Sequence, residues 1–336
     1  MIRSLLAALC LMIPALPAAA QEVRVRGGFA AAEAVDGLEA PIFARGLGEI
    51  SDLALAEDGT VFATDARSGR IWVMRDRARD GRADTVQALP HRFDQPTGLA
   101  SRGDTLFVAD RGGLWAIRGG LTPRLVAPFQ NSGALPAPHP VAIQPDGTLR
   151  LGLPMPDGTS RIVSVRPDTG EATPLAEWPG RIAAFSKGPF GAPGLTLLQD
   201  GATTRLGGFG AQPQALPSPA RAAWVDAEAG VVLLSGPDGL RAHRATLMGL
   251  ETDPDVLLRG VEGGAVVMDG RGILLASPQD GTIRVVRPRR EVALPKVETA
   301  PAPEPQLDSD LLILRGSGID RASRYDEIRD SATETE

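Results

Sequence analysis

Short apolar runs, each closed by a polar turn that contains glycine, recur along most of this chain and set its architecture. In the clearest copies a turn leads into a strand, then a second turn and a second strand. Asp58-Gly59-Thr60-Val61-Phe62-Ala63-Thr64-Asp65 leads to Gly69-Arg70-Ile71-Trp72-Val73, and Gly103-Asp104-Thr105-Leu106-Phe107-Val108-Ala109-Asp110 leads to Leu114-Trp115-Ala116-Ile117. A third copy runs from Asp146-Gly147-Thr148-Leu149-Arg150-Leu151 to Arg161-Ile162-Val163. Looser copies begin at Gly194, Gly230 and Gly272, the last continuing into Asp280-Gly281-Thr282-Ile283-Arg284-Val285. The marker glycines 59, 103, 147, 194, 230 and 272 are separated by 44, 44, 47, 36 and 42 residues.

β-rich segments at this period, bounded by Gly, Pro and Asp, are the sequence mark of four-stranded propeller blades. One blade cannot bury both of its faces, so several pack radially around a channel. The copies predict an all-β, six-bladed β-propeller over residues 21–290. A pair of β-sandwiches, the competing all-β architecture, offers no reason for a sixfold period.

The repeat also predicts where function sits. The strand before each marker glycine, such as Leu53-Ala54-Leu55, Gly98-Leu99-Ala100 or Val141-Ala142-Ile143, should be innermost, with its start opening on the face where propellers bind ligands. Eight residues before the glycines stand Ser51, Gln95, His139, Ala222 and Gly264, with Arg181 the nearest equivalent in the fourth copy. These positions should ring the channel mouth.

The two ends of the chain follow other rules. Residues 1–20 carry Arg3, an apolar stretch from Leu5 to Ala15 and the small-residue end Pro17-Ala18-Ala19-Ala20, the layout of a secretory signal peptide. No stretch reaches the roughly 20 apolar residues a spanning helix needs, so a periplasmic or secreted protein without a membrane span is expected. Cys10, the single cysteine, falls inside the signal, which leaves the mature chain without disulfides or thiolate metal ligands. Residues 291–336 hold 11 acidic and 5 basic residues, against 30 and 29 in 21–290. The Pro-rich stretch Val297 to Pro305 cannot pack a core and reads as an extended linker in a disordered acidic tail. Leu311-Leu312-Ile313-Leu314 beyond it is either a passive island or a docking segment for a protein partner. With a formal net charge of −6 and no basic patch, a nucleic-acid partner is not expected.

Several motifs carry a more specific signal: Phe43-Ala44-Arg45-Gly46-Leu47, Gly69-Arg70-Ile71-Trp72-Val73-Met74-Arg75-Asp76, Asp80-Gly81-Arg82-Ala83-Asp84, Gln95-Pro96-Thr97-Gly98-Leu99-Ala100 and Pro145-Asp146-Gly147-Thr148-Leu149. In order and spacing they resemble the first blades of the sorbosone dehydrogenase family, relatives of the soluble quinoprotein glucose dehydrogenases. The resemblance covers 42–163. It implies an exported enzyme that oxidises a sugar hydroxyl or aldehyde, passing hydride to pyrroloquinoline quinone (PQQ) held above the channel with a calcium ion. It assigns His139 as the base on the substrate hydroxyl, a role suited to imidazole, and places Arg181 and Gln95 beside the cofactor. Arg181 is followed by Ile182 where the family has Asn, and 191–212 lacks the family's acidic, Asn-rich stretch.

Each assignment has a plainer alternative. His139 also reads as a channel-rim or loop residue stiffened by Pro138 and Pro140, and Arg181 as a rim salt bridge. Asp76, Asp80-Gly81 and Asp84 occupy positions 1, 5, 6 and 9 of a calcium-loop pattern, with Ala78 at position 3; the alternative is a solvated hairpin turn. No dinucleotide, phosphate-loop, nucleophile-elbow or zinc-protease motif is present. Two functions stay open: a PQQ-dependent sugar dehydrogenase, or a noncatalytic propeller that binds a carbohydrate, a cell-wall fragment or a protein.

Overall fold

The computed structural model describes residues 32–289 apart from 120–121, 130–137, 188–195, 201–202, 208–213, 217–218, 227–228, 247–248 and 252. The expected signal peptide over 1–20, the expected tail over 291–336 and the marker Gly194 lie outside the described residues. Among those described there is no helix, and hence none long and apolar enough to cross a membrane.

Six antiparallel sheets form the six blades of a β-propeller. Blade 1 comprises Ile50–Leu55, Val61–Asp65, Arg70–Arg75 and Thr85–Ala88. Blade 2 follows with Gly98–Arg102, Thr105–Ala109, Gly113–Arg118 and Arg124–Pro128, and blade 3 with Val141–Ile143, Leu149–Pro154, Thr159–Val165 and Ala172–Pro179. Blade 4 holds Arg181–Phe185, Thr196–Asp200, Thr203–Gly207 and Gln214–Ala215. Blade 5 is built on Ala222–Asp226, Val231–Gly236, Gly239–Thr246 and Asp255–Arg259, and blade 6 on Val266–Asp269, Gly272–Ser277 and Thr282–Pro288.

The marker turns form for a local reason. Asp58 Oδ1 accepts a hydrogen bond from Thr60 N at 2.9 Å, and Asp146 Oδ1 one from Thr148 N at 2.9 Å. In both, the intervening glycine is left-handed, with φ of +81° at Gly59 and +86° at Gly147. The aspartate mimics a backbone turn and the glycine supplies the positive φ without a Cβ clash.

Blade 6 takes its outer edge from the other end of the chain. Ile42–Ala44 pairs with the strand Thr282–Pro288 through Ile283 and Arg284, and Leu38–Glu39 pairs with Pro288 and Arg287. The motif around Phe43 therefore belongs to the last blade, although in sequence it leads into the first. Glu33–Ala34 adds a further strand to blade 5. Carrying Leu38–Glu39 and Ile42–Ala44 into the sheet of the last strand closes the ring of blades.

The core is divided into one apolar cluster per blade interface. Ile50, Leu53 and Met74 of blade 1 pack on Val267, Leu274 and Val285 of blade 6, while Phe107 and Leu114 of blade 2 meet Val141, Leu149 and Val163 of blade 3. Ile162 of blade 3 meets Ile182 and Phe185 of blade 4, and Leu197 of blade 4 meets Ala223 and Val232 of blade 5. Alternation along each strand sends successive side chains to opposite neighbours.

Candidate functional site

A cavity of about 490 Å³ opens where the inner strands begin, and every blade contributes to its wall. Glu49, Ser51, Asp52 and Arg67 come from blade 1 and its turns, Gln95 and Thr97 from the entry to blade 2, and Pro138 and Pro140 from the entry to blade 3. Blade 4 provides Ala183, Ala184, Phe185 and Lys187, and blades 5 and 6 provide Arg221, Ala222 and Ala265.

The ring of positions counted from the repeat is correct to within two residues. Ser51, Gln95 and Ala222 line the cavity as expected. In the other three blades the neighbours take that place: Pro138 and Pro140 instead of His139, Ala183 instead of Arg181, and Ala265 instead of Gly264. In blades 3 and 6 the shift is one residue, which in an extended segment turns a side chain to the opposite face; in blade 4 it is two, where the register shifts between Ile182 and Ala184.

Lys187 and Asp52 are the pair that sequence reasoning missed as a unit. Lys187 follows the inner strand of blade 4, held to blade 5 by Lys187 N to Ala223 O at 3.1 Å and Val225 N to Lys187 O at 2.8 Å. Its side chain crosses to blade 1, on the far side of the ring. There Nζ lies 2.5 Å from Asp52 Oδ1 and also donates to Leu53 O. Asp52 in turn accepts from Leu53 N at 2.8 Å and from Leu99 N at 2.7 Å, linking blades 1, 2 and 4 through one carboxylate. The lysine and aspartate side chains are only 20% and 13% exposed. Burial pushes the Asp52 carboxyl above its usual range, against the pull of Lys187, and pushes the Lys187 ammonium below its own, against the pull of Asp52.

His139 is placed differently from an open base. The residue is fully buried, and its ring stacks on Phe129 with centroids 5.4 Å apart. Neither ring nitrogen has a hydrogen-bond partner, and burial lowers its pKa to about 4. Its backbone is fixed by His139 N donating to Thr97 Oγ1 at 2.9 Å. Gly98 lies so close that an added Cβ would stand 2.3 Å from His139 O. Arg181 is half-buried at the start of the blade 4 inner strand, paired in register with Gln199, and does not line the cavity.

Gln95 is an exposed cavity residue with a left-handed backbone, φ +53°, directly before Pro96. That conformation is costly for a side chain with a Cβ. It is held from below, because Ser51 Oγ donates to Pro96 O at 2.9 Å and pairs with Thr64 Oγ1 at 2.6 Å. On the rim, Glu49 and Arg67 are exposed, and Arg221 pairs with Glu262.

Asp76, Asp80 and Asp84 are not brought together as a metal site. Asp76 Oδ1 and Oδ2 accept from Asp80 N and Gly81 N, Asp80 Oδ1 from Arg82 N, and Asp84 Oδ2 from Arg77 N and Ala78 N. These carboxylates cap the N–H groups of their own hairpin. Among the described residues no three His, Cys, Asp or Glu side chains group so as to hold a metal ion. A quinone with calcium needs oxygen ligands converging on the cation and a base open to the substrate. His139 does not line the cavity and no set of oxygen ligands converges on a cation position, so the described residues do not fit that group.

Fold and site define a six-bladed propeller with a polar cavity over its channel. No family model matches the chain, and no curated protein matches it. Solved structures of similar fold include a putative gluconolactonase, 18% identical over 75% of this chain and 92% of that one, with a TM-score of 0.57. Another is a Trichoderma reesei carbohydrate-active enzyme of family AA12 in a calcium structure, at 12% identity over 79% and 99% with a TM-score of 0.63. A third is the PQQ-bound aldose sugar dehydrogenase of Streptomyces coelicolor, at 14% identity over 77% and 99% with a TM-score of 0.54. At these identities the likeness is one of fold.

Proposed function

We propose that the protein is an exported propeller, akin to the sorbosone dehydrogenase family, that binds a small polyhydroxylated molecule of the sugar class without PQQ-dependent oxidation. The carrying observation is the mouth cavity. Its volume of about 490 Å³ lies in the range of small-molecule sites. It offers hydroxyls at Ser51 and Thr97, an amide at Gln95 and opposite charges at Glu49 and Arg67, the mixture of donors and acceptors that hydroxyl groups require. Residues 1–20 support export, and the motifs over 42–163 support the kinship.

The second reading is a PQQ- and calcium-dependent aldose dehydrogenase, favoured by the same motifs and by the fold of the Streptomyces coelicolor enzyme. The sealed imidazole of His139 and the turn-capping carboxylates count against it, so no step is derived through the cofactor. One calorimetric experiment separates the two. The mature protein is titrated with a panel of aldoses, ketoses and aldonates, then with PQQ in the presence and absence of calcium. Binding from the panel with no heat from PQQ is the expected result. Calcium-dependent PQQ binding at about micromolar affinity or better, about −8 kcal/mol, would overturn the proposal in favour of the dehydrogenase.

A further inference from the structure

Lysine is scarce in this chain. Of 35 basic side chains, 33 are arginine, and the exceptions are Lys187 and Lys296. Arginine is the cation of the other ion pairs among the described residues, on Asp104, Glu177, Glu171, Glu262, Asp238, Asp269 and Glu39. If the cavity needed only a fixed positive charge opposite Asp52, guanidinium would meet the need with a planar, bidentate grip. What lysine adds is an amine that can give up a proton and expose a lone pair.

The surroundings favour that chemistry. Lys187 lines a cavity large enough for a ligand, and a proton acceptor, Asp52 Oδ1, lies 2.5 Å from its Nζ. The remaining contact, to Leu53 O, fixes the direction of the side chain. Burial disfavours both charges, moving the ammonium down and the carboxyl up, so transfer of the proton from Nζ to Asp52 is eased from both sides.

We propose that Lys187 Nζ is a nucleophile that captures a carbonyl-bearing ligand, an aldehyde or the open-chain form of a reducing sugar, as an imine in the mouth cavity. This rests on reading that cavity as the ligand site. Nζ first passes a proton to the Asp52 carboxylate, and its lone pair then forms a C–N bond to the carbonyl carbon while the C=O π pair moves to oxygen. That oxygen takes the proton from Asp52, and Asp52 takes one from the nitrogen. The C–O bond breaks, and the hydroxyl leaves as water with the proton returned by Asp52. The sum is ammonium plus carbonyl giving protonated imine plus water, with Asp52 restored to carboxylate and no oxidant or reductant consumed.

The test traps the imine in the full chain. Protein is incubated with glycolaldehyde and sodium cyanoborohydride near neutral pH, and the adduct is located by peptide mass spectrometry. Lys296, the other lysine, serves as the internal reference. Reductive alkylation of Lys187 faster than of Lys296 is expected, since a neighbouring proton acceptor and a lowered ammonium pKa both raise the free-amine fraction. Asp52→Asn, which keeps the side-chain volume and removes the proton acceptor, should slow labelling at Lys187 and leave Lys296 unchanged. Labelling of Lys187 no faster than of Lys296 would overturn the inference. If calorimetry shows sugar binding while Lys187 stays unmodified, the imine falls and the binding site stands; if neither is seen, both fall.

Discussion

Two basic side chains, His139 and Lys187, come from neighbouring blades beside the channel mouth, and the fold treats them in opposite ways. His139 of blade 3 has no exposed surface, no hydrogen-bond partner for either ring nitrogen, and an aromatic ring against its face. Lys187 of blade 4 keeps a carboxylate at 2.5 Å and a border on the cavity. A base without a partner responds to burial by staying neutral, which makes the imidazole part of the apolar packing. A base with a partner can share a proton, which keeps the lysine chemically available. Burial alone does not mark a functional group; the presence of a partner and an opening does.

Removing the lysine should have the largest effect. Lys187→Met leaves Asp52 buried without its cation and should lower unfolding free energy by about 3 kcal/mol, measured by denaturant titration. A loss below about 1 kcal/mol would erase the contrast, showing that the cross-channel pair is an ordinary exposed contact.

The histidine should act through pH instead. Its pKa is about 4 in the fold against 6.5 for the unperturbed group, so the unfolded chain binds the extra proton between those values. Its contribution is full above pH about 6.5 and is lost as pH falls toward about 4, by about 3 kcal/mol at the upper bound. His139→Phe should flatten that segment of the stability profile while changing stability near neutral pH by less than about 1 kcal/mol. An unchanged slope in the variant would mean that the imidazole is hydrated in solution.

The smallest effect is expected at the rim. Gln95→Gly relieves the left-handed backbone and should leave stability unchanged or raised by about 0.5 kcal/mol. It should weaken binding of the cavity ligand by about 1 kcal/mol, roughly fivefold, through loss of the amide. A fall in stability of more than about 1 kcal/mol would assign Gln95 to structure and leave the rim without a dedicated recognition group.

Much of the fold was legible from residues alone because its determinants are local. Asp-Gly-Thr at 58–60 and 146–148 specifies a side-chain-capped turn with one left-handed residue, and the marker glycines, one for each predicted blade, supply the count. The count of eight back from each marker glycine found Ser51, Gln95 and Ala222 on the cavity because the turn and the strand before it repeat with nearly the same length in those blades. Asp76, Asp80 and Asp84 matched a cation loop in spacing, yet each carboxylate accepts from backbone N–H groups of the same hairpin. The lysine also left a trace in sequence, since it is one of two in a chain of 33 arginines.

What the sequence determined by itself was the repeat: strand, turn, and the sixfold packing that follows because a lone blade exposes an apolar face. Only the tertiary structure decided which side chains face the channel. Facing alternates every residue along an extended segment, so a one-residue offset sends His139 into the interface of blades 2 and 3 and presents its flanking prolines to the cavity. It also decided that Lys187 meets Asp52, 135 residues away in sequence. That contact exists because closing six blades into a ring, with Ile42–Ala44 completing the last, places blade 4 opposite blade 1 across the channel.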